Sequence, residues 1–197
     1  MNDHTGQTPM PNDHRPPIIQ IVGYKNSGKT TLVTSLLRLL VQHGLRVAVI
    51  KHDAHQFQMD HPGTDTYAHT EAGAAAIAIT SPRRTAIIRE QSASLEQLID
   101  ELVESTLDRY DLILVEGFKR ENYPKVALIA DEKGLELLSE LTSIHWMYTR
   151  LASAHVTKYV EQKDHLNLKD IPIIPAGKDG IMDMFIALHA YIQSSTS

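Results

Sequence analysis

No cysteine occurs in the 197 residues, which removes disulfides, thiolate catalysis and cysteine-ligated metal centres together. Nor does any segment approach the ~18 apolar residues that a membrane helix needs, so no membrane partner is expected. Positive charge is in deficit: 19 Lys and Arg against 24 Asp and Glu leave a net charge of −5. With no overall basic field, nucleic acid is not expected as a partner either. The first fifteen residues, Met1 to Arg15, are polar with scattered proline and lack the apolar core of a signal peptide. They read as a disordered tail, and Ser194 to Ser197 as a frayed end. No internal repeat is visible. The expectation is a cytoplasmic soluble protein with one domain over residues 16–193.

What the sequence does contain is a strong local pattern. The apolar run Ile18 to Val22 breaks into Gly23-Tyr24-Lys25-Asn26-Ser27-Gly28-Lys29-Thr30-Thr31, that is, Gly-x-x-x-x-Gly-Lys-Thr. A segment with helical spacing follows, from Thr31 to Leu40. Strand, glycine-bounded loop and helix is the context in which this pattern means a phosphate-binding P-loop. The two glycines let the backbone curl so that successive N–H groups converge on an anion. The helix N-terminus points its free donors at the same place. Lys29 can reach the β- and γ-phosphates, and the Thr30 hydroxyl can ligate Mg²⁺. The chain reads as a nucleotide-binding protein.

The rest of the pattern predicts an α/β fold, a mostly parallel sheet with helices on both faces. A helix is expected over 30–43 and ends at Gly44, with Leu32, Val33, Leu36, Leu37 and Leu40 on one face. Strands are expected at 46–50, 74–80, 85–88, 111–117, 124–129, 144–148 and 171–175, the last at an edge because of its prolines. Ser94 and Gln97 have capping-box spacing and open a helix reaching to about Asp108. Further helices are expected over 64–71, 135–141 and 180–193. Residues 150–170 carry no assignment.

Two acids fall at strand ends beside the P-loop. Glu116 closes the apolar run Leu112 to Val115, the layout of a Walker B strand, and is the candidate for the metal side. Asp53 follows the strand Arg46 to Ile50 and is the candidate for positioning an attacking water, with Lys29 beside it as the other catalytic candidate. His52, His55, His61 and His69 crowd one region and raise metal delivery as an alternative, although their spacing fits no standard zinc pattern. Lys119, Arg120, Arg83 and Arg84 could clamp phosphates. Lys119 gains weight from following Glu116-Gly117-Phe118. For the base, Lys178 and Asp179 in Ala176-Gly177-Lys178-Asp179 follow the last strand and are the candidates. Asn167-Leu168-Lys169-Asp170 has the letters of a guanine reader in the wrong order and precedes a strand. A small-molecule kinase on the same core is a second alternative.

Three blocks taken together resemble the molybdopterin-guanine dinucleotide biosynthesis protein B family (MobB). They are Gly23 to Thr31, then Lys51-His52-Asp53 through Asp60, Pro62, Gly63, Asp65 and Thr66 to Glu71-Ala72-Gly73-Ala74, and Asp111 to Lys119 with Pro124-Lys125. The resemblance covers about residues 18–130. It implies a homodimeric, GTP-binding P-loop protein with feeble GTPase activity and Mg²⁺ as cofactor. Its partner would be the MobA-type molybdopterin guanylyltransferase, which joins GMP to molybdopterin.

Overall fold

The computed structural model describes residues 15–53, 60–105 and 109–195. In chain order the elements are β1 (Ile18–Val22), α1 (Lys29–Gln42), β2 (Val47–Lys51), α2 (Asp65–Glu71), β3 (Ala76–Ser81), β4 (Arg84–Arg89), α3 (Leu95–Val103) and β5 (Leu112–Glu116). There follow β6 (Lys125–Ile129), α4 (Glu132–Glu136), β7 (Ile144–Thr149), α5 (Ser153–Gln162), β8 (Ile173–Pro175) and α6 (Lys178–Ser195).

β1 is buried at all five positions, as an apolar strand at the centre of a parallel sheet must be. It lies between β5 and β6 in a six-stranded sheet of order β2-β5-β1-β6-β7-β8, parallel throughout. Side chains alternate across the strands, so the two faces feed two layers. Ile19, Ile21, Leu112, Leu114, Val126 and Leu128 pack against Leu32, Leu36 and Leu40 of α1 and Met184, Phe185 and Leu188 of α6. On the other face Ile18, Ile113 and Val115 meet Leu95 and Ile99 of α3. Ala127, Ile129 and Met147 meet Leu135 of α4 and Val156 and Val160 of α5. The fold is the α/β arrangement expected, helices on both faces of a parallel sheet.

Local signals hold where they are strongest. α1 ends with Gly44 at φ 83°, and the Ser94 hydroxyl accepts from Gln97 N while the Gln97 side chain accepts from Ser94 N. β8 is the edge strand.

Three expectations need revision. The strands at 74–80 and 85–88 form, as β3 and β4, but they pair with each other as an antiparallel hairpin and take no place in the main sheet. The helix expected at 135–141 is α4, begun earlier by the Asp131 cap and tightened into a 3₁₀ turn at 137–139. The unassigned stretch 150–170 holds α5, whose Val156 and Val160 are four apart on one turn-to-turn stripe. Of the expected tail, residues 1–14 lie outside the described residues. Arg15 is placed, with Nη2 2.5 Å from Glu96 Oε1 on α3. α3, expected to reach about Asp108, stops at Val103 with Glu104 as its C-cap. At the other end, α6 continues to Ser195.

Candidate nucleotide-binding site

The site lies at the carboxyl ends of β1, β2 and β5, where ligands sit in open α/β sheets. A cleft of about 880 Å³ is lined by Gly23, Lys25, Asn26, Gly28, Lys29, Thr30 and Thr31 of the P-loop, Lys51, His52 and Asp53 after β2, and Glu116 to Glu121 after β5. The loop closes on itself through Ser27 N donating to Tyr24 O at 3.2 Å. Asn26 at φ 63° and Gly28 at φ 101° supply the left-handed turns that aim the amides inward. α1 then begins on Gly28 with no side-chain cap and no acidic residue in its first turn. A 14-residue helix left with a bare N-terminus presents its first amides and its partial positive charge to the cleft.

Lys29 folds back over this loop. Its Nζ donates to Gly23 O at 3.1 Å and Tyr24 O at 2.8 Å. Burial pulls its ammonium below the ordinary lysine range, with the Glu116 carboxylate opposing and the Lys119 and Lys51 charges reinforcing the shift. Two carbonyls thus hold the cation that a phosphate would otherwise neutralise. The buried Ser27 hydroxyl has no hydrogen-bond partner among the described residues.

Glu116, 6% exposed, ends β5 in register with Ile21 and Lys51. Its Oε1 accepts from Thr30 Oγ1 at 2.8 Å. Its backbone is fixed too, since His52 N donates to Glu116 O at 2.9 Å and Gly117 N donates to Ile21 O at 3.1 Å. Gly117 turns at φ 103°, and a Cβ there would stand 3.1 Å from His52 Cβ. The turn brings the Phe118 ring onto the His52 ring, centroids 4.6 Å apart. Asp53 stands on the same rim. A hydroxyl and a carboxylate in contact, with a second carboxylate nearby and no sulfur, suit a small hard dication such as Mg²⁺.

The structure therefore brings together Gly23, Lys25, Asn26, Gly28, Lys29, Thr30, Thr31, Asp53, Glu116 and Lys119, and Arg120 with them. Tyr24 does not line the cleft, and its ring centroid lies 4.7 Å from Lys119 Nζ and 5.3 Å from Lys133 Nζ. Lys178 and Asp179 lie at the start of α6 and do not line this cleft. Arg83 and Arg84 belong to the β3–β4 hairpin and do not line it either. Of the four histidines only His52 is on the cleft; His61 and His69 are exposed elsewhere, and His55 lies outside the described residues.

Two buried polar residues shape the loop after β5: Gln20, which the sequence reading passed over, and Lys125, to which it gave no role beyond its place in the third block of the resemblance. Gln20, inside β1, donates from Nε2 to Phe118 O at 2.8 Å and accepts Tyr123 N at 3.2 Å. Lys125, inside β6, donates to Tyr123 O at 3.1 Å and to Glu121 O. Together they clamp both ends of the segment that carries Lys119 and Arg120. A lone polar residue inside an otherwise apolar strand was the available signal for each.

This fold and this loop define an α/β protein of the P-loop class. The family description "Molybdopterin guanine dinucleotide synthesis protein B" matches residues 18–148, and the chain belongs to that family. A relative named molybdopterin-guanine dinucleotide biosynthesis adapter protein from Haemophilus influenzae is 41% identical over 118 residues, 59% of this chain and 65% of its own. Its namesake from Escherichia coli is 38% identical over 120 residues, 60% of this chain and 68% of its own. The crystal structure of Bacillus subtilis MobB superposes with a TM-score of 0.67 at 27% identity, covering 87% of this chain and 96% of that one. Among the described residues no helix is long and apolar enough to cross a membrane.

Proposed function

We propose that this chain is a GTP-binding adapter in molybdopterin-guanine dinucleotide biosynthesis, acting as a cytoplasmic homodimer beside the guanylyltransferase that joins GMP to molybdopterin. Residues 16–193 would serve as its single nucleotide-binding domain. The observation that carries the nucleotide half is the uncapped start of α1 with Lys29 and the Thr30–Glu116 pair at its mouth. Membership of the family carries the pathway half, and the relatives' printed name supports the adapter role.

In this reading the amides from Asn26 to Thr31 surround the β-phosphate. Lys29 leaves its two carbonyl partners for the β- and γ-oxygens. Thr30 and Glu116 would hold a Mg²⁺ ion, which would supply positive charge to the phosphate chain. Glu116 would orient the water around the ion, and Asp53 would align the attacking water. The turnover proposed is weak, as the resemblance to the family implies. Lys119 and Arg120 add positive charge at the outer rim, and Lys178 and Asp179 remain the candidates for the base edge.

Calorimetric titration with GTP and ATP, with and without Mg²⁺, tests the first half; absence of saturable Mg²⁺-linked GTP binding would refute it. Co-purification with a molybdopterin guanylyltransferase tests the second, and a transferase that elutes apart from the chain at micromolar concentrations counts against it.

A further inference from the structure

Arg150 lies just beyond the span that the family description matches, at the carboxyl end of β7. Its backbone is locked between the ends of two neighbouring strands. Arg150 N donates to Ile129 O at 2.9 Å, Ala176 N donates to Thr149 O at 2.5 Å, and Leu151 N donates to the buried Thr149 hydroxyl at 2.9 Å. From that fixed point the side chain runs across the top of the sheet to the P-loop. A Cβ placed on Gly28 would come within 2.6 Å of Arg150 Nη2 and 3.6 Å of Cζ. The guanidinium therefore rests against the α-carbon face of Gly28. Among the described residues it has no ion-pair partner. An arginine anchored at its backbone, laid on a phosphate-binding loop and left without a carboxylate is placed for a ligand.

Which part of the ligand follows from direction. The metal-side groups Thr30, Glu116 and Asp53 gather toward β5 and β2, one side of β1 in the strand order. A nucleotide whose terminal phosphate points to them must run its ribose and base to the other side, over the ends of β6, β7 and β8. Arg150 and the segment Ala176 to Asp179 stand there, with Gly177 N held by the Tyr148 hydroxyl at 3.2 Å. A guanidinium is planar and weakly hydrated, and stacks on aromatic rings.

We propose that Arg150 is the nucleobase platform of this site, its guanidinium plane stacking on the purine while Gly28, lacking a side chain, lets it approach the loop. The inference rests on the nucleotide-binding reading above. It makes Arg150 responsible for preferring a nucleotide to its bare phosphate chain.

The test compares GTP with inorganic tripolyphosphate on the full chain, by calorimetry in excess Mg²⁺, for the parent, Arg150→Ala and Arg150→Gln. Stacking of one base is worth enough to predict a loss of about tenfold or more in GTP affinity for the alanine variant. Tripolyphosphate affinity should stay within twofold, which also shows that the P-loop remains folded. The glutamine variant, planar but neutral, should recover part of the loss. Parallel losses for GTP and tripolyphosphate would mean that Arg150 grips phosphate and would overturn the platform. Unchanged GTP affinity would overturn it as well. Failure of the parent to bind either ligand would instead bring down the nucleotide reading beneath it.

Discussion

A lysine that donates to two carbonyls of its own loop is already partly satisfied before any ligand arrives. For Lys29 those partners are Gly23 O and Tyr24 O, and the bonds tie the loop shut. A bound phosphate must compete with them, so the side chain contributes the difference between two sets of charge-assisted bonds. Each such bond is worth roughly 1.5–3 kcal/mol. Lys29→Ala should weaken GTP binding on the order of a hundredfold; retention of GTP affinity within threefold of the parent would mean that the loop is not a phosphate site. Glu116 and Asp53 separate by phenotype. Removing a metal-side group weakens Mg²⁺-linked binding, whereas removing a water-positioning group lowers turnover. Glu116→Gln should therefore make GTP affinity less dependent on Mg²⁺, and Asp53→Asn should keep affinity and depress single-turnover hydrolysis. Exchanged phenotypes would swap the two roles.

Lys125 gives a prediction in pH. Burial pulls its ammonium from the usual 10.5 down to about 8, against a weaker pull from the Glu121 charge. Between those values the unfolded chain keeps a proton that the folded chain has lost. Stability then rises with pH across that window, because the unfolded state binds the more protons. Urea midpoints at pH 7 and pH 9.5 should show the rise in the parent and lose it in Lys125→Met; an equal rise in both would place its origin elsewhere. Lys125, Gln20 and Arg150 also mark where side-chain roles stop being readable from sequence. The P-loop and Glu116 declare themselves because their partners are adjacent or follow a strand pattern. Gln20 acts on a loop at 117–123 and Arg150 on a glycine at 28. Neither pairing leaves a trace in local spacing.

Elements were readable to the extent that their apolar spacing served a local burial. α1, α3 and α6 each show a stripe that the sheet covers. The β3–β4 hairpin misled for the same reason: its apolar runs, Ala76 to Ile79 and Ala86 to Ile88, are strand-like, but the main sheet does not cover them. Ile79 is 50% and Ile87 60% exposed, on opposite faces of the hairpin. α2, which precedes the hairpin, has no buried residue. An isolated two-stranded hairpin is marginal in water, and the exposed Arg89–Glu101 pair at 2.6 Å adds little. Ile77, Ile79 and Ile88 share one face of the hairpin, and in the proposed homodimer a second copy laid on that face would cover them. Ile79→Asp should then shift the mass measured by light scattering from dimer to monomer, leaving GTP affinity within twofold. A variant that stays dimeric would move the interface off this face.

Taken as a single object, the molecule is organised around β1, yet β1 has no partner near it in the chain. Ile18 pairs with Ile113 on one side and Gln20 with Lys125 on the other. The class of fold was readable because strand and helix alternate along the sequence, while the strand order was not, since nothing local states that the second strand is displaced from the first by the fifth. Such long-range pairing is intrinsically slow to form. During synthesis the first strand emerges well before either neighbour exists, and domains form as units while the chain is still being extended. Until Glu116 has left the ribosome, the segment from Ile18 to Val22 is an apolar run without a sheet to join, and its second neighbour arrives only with Ile129. The phosphate site is therefore among the first parts to be translated and among the later ones to be framed by its sheet.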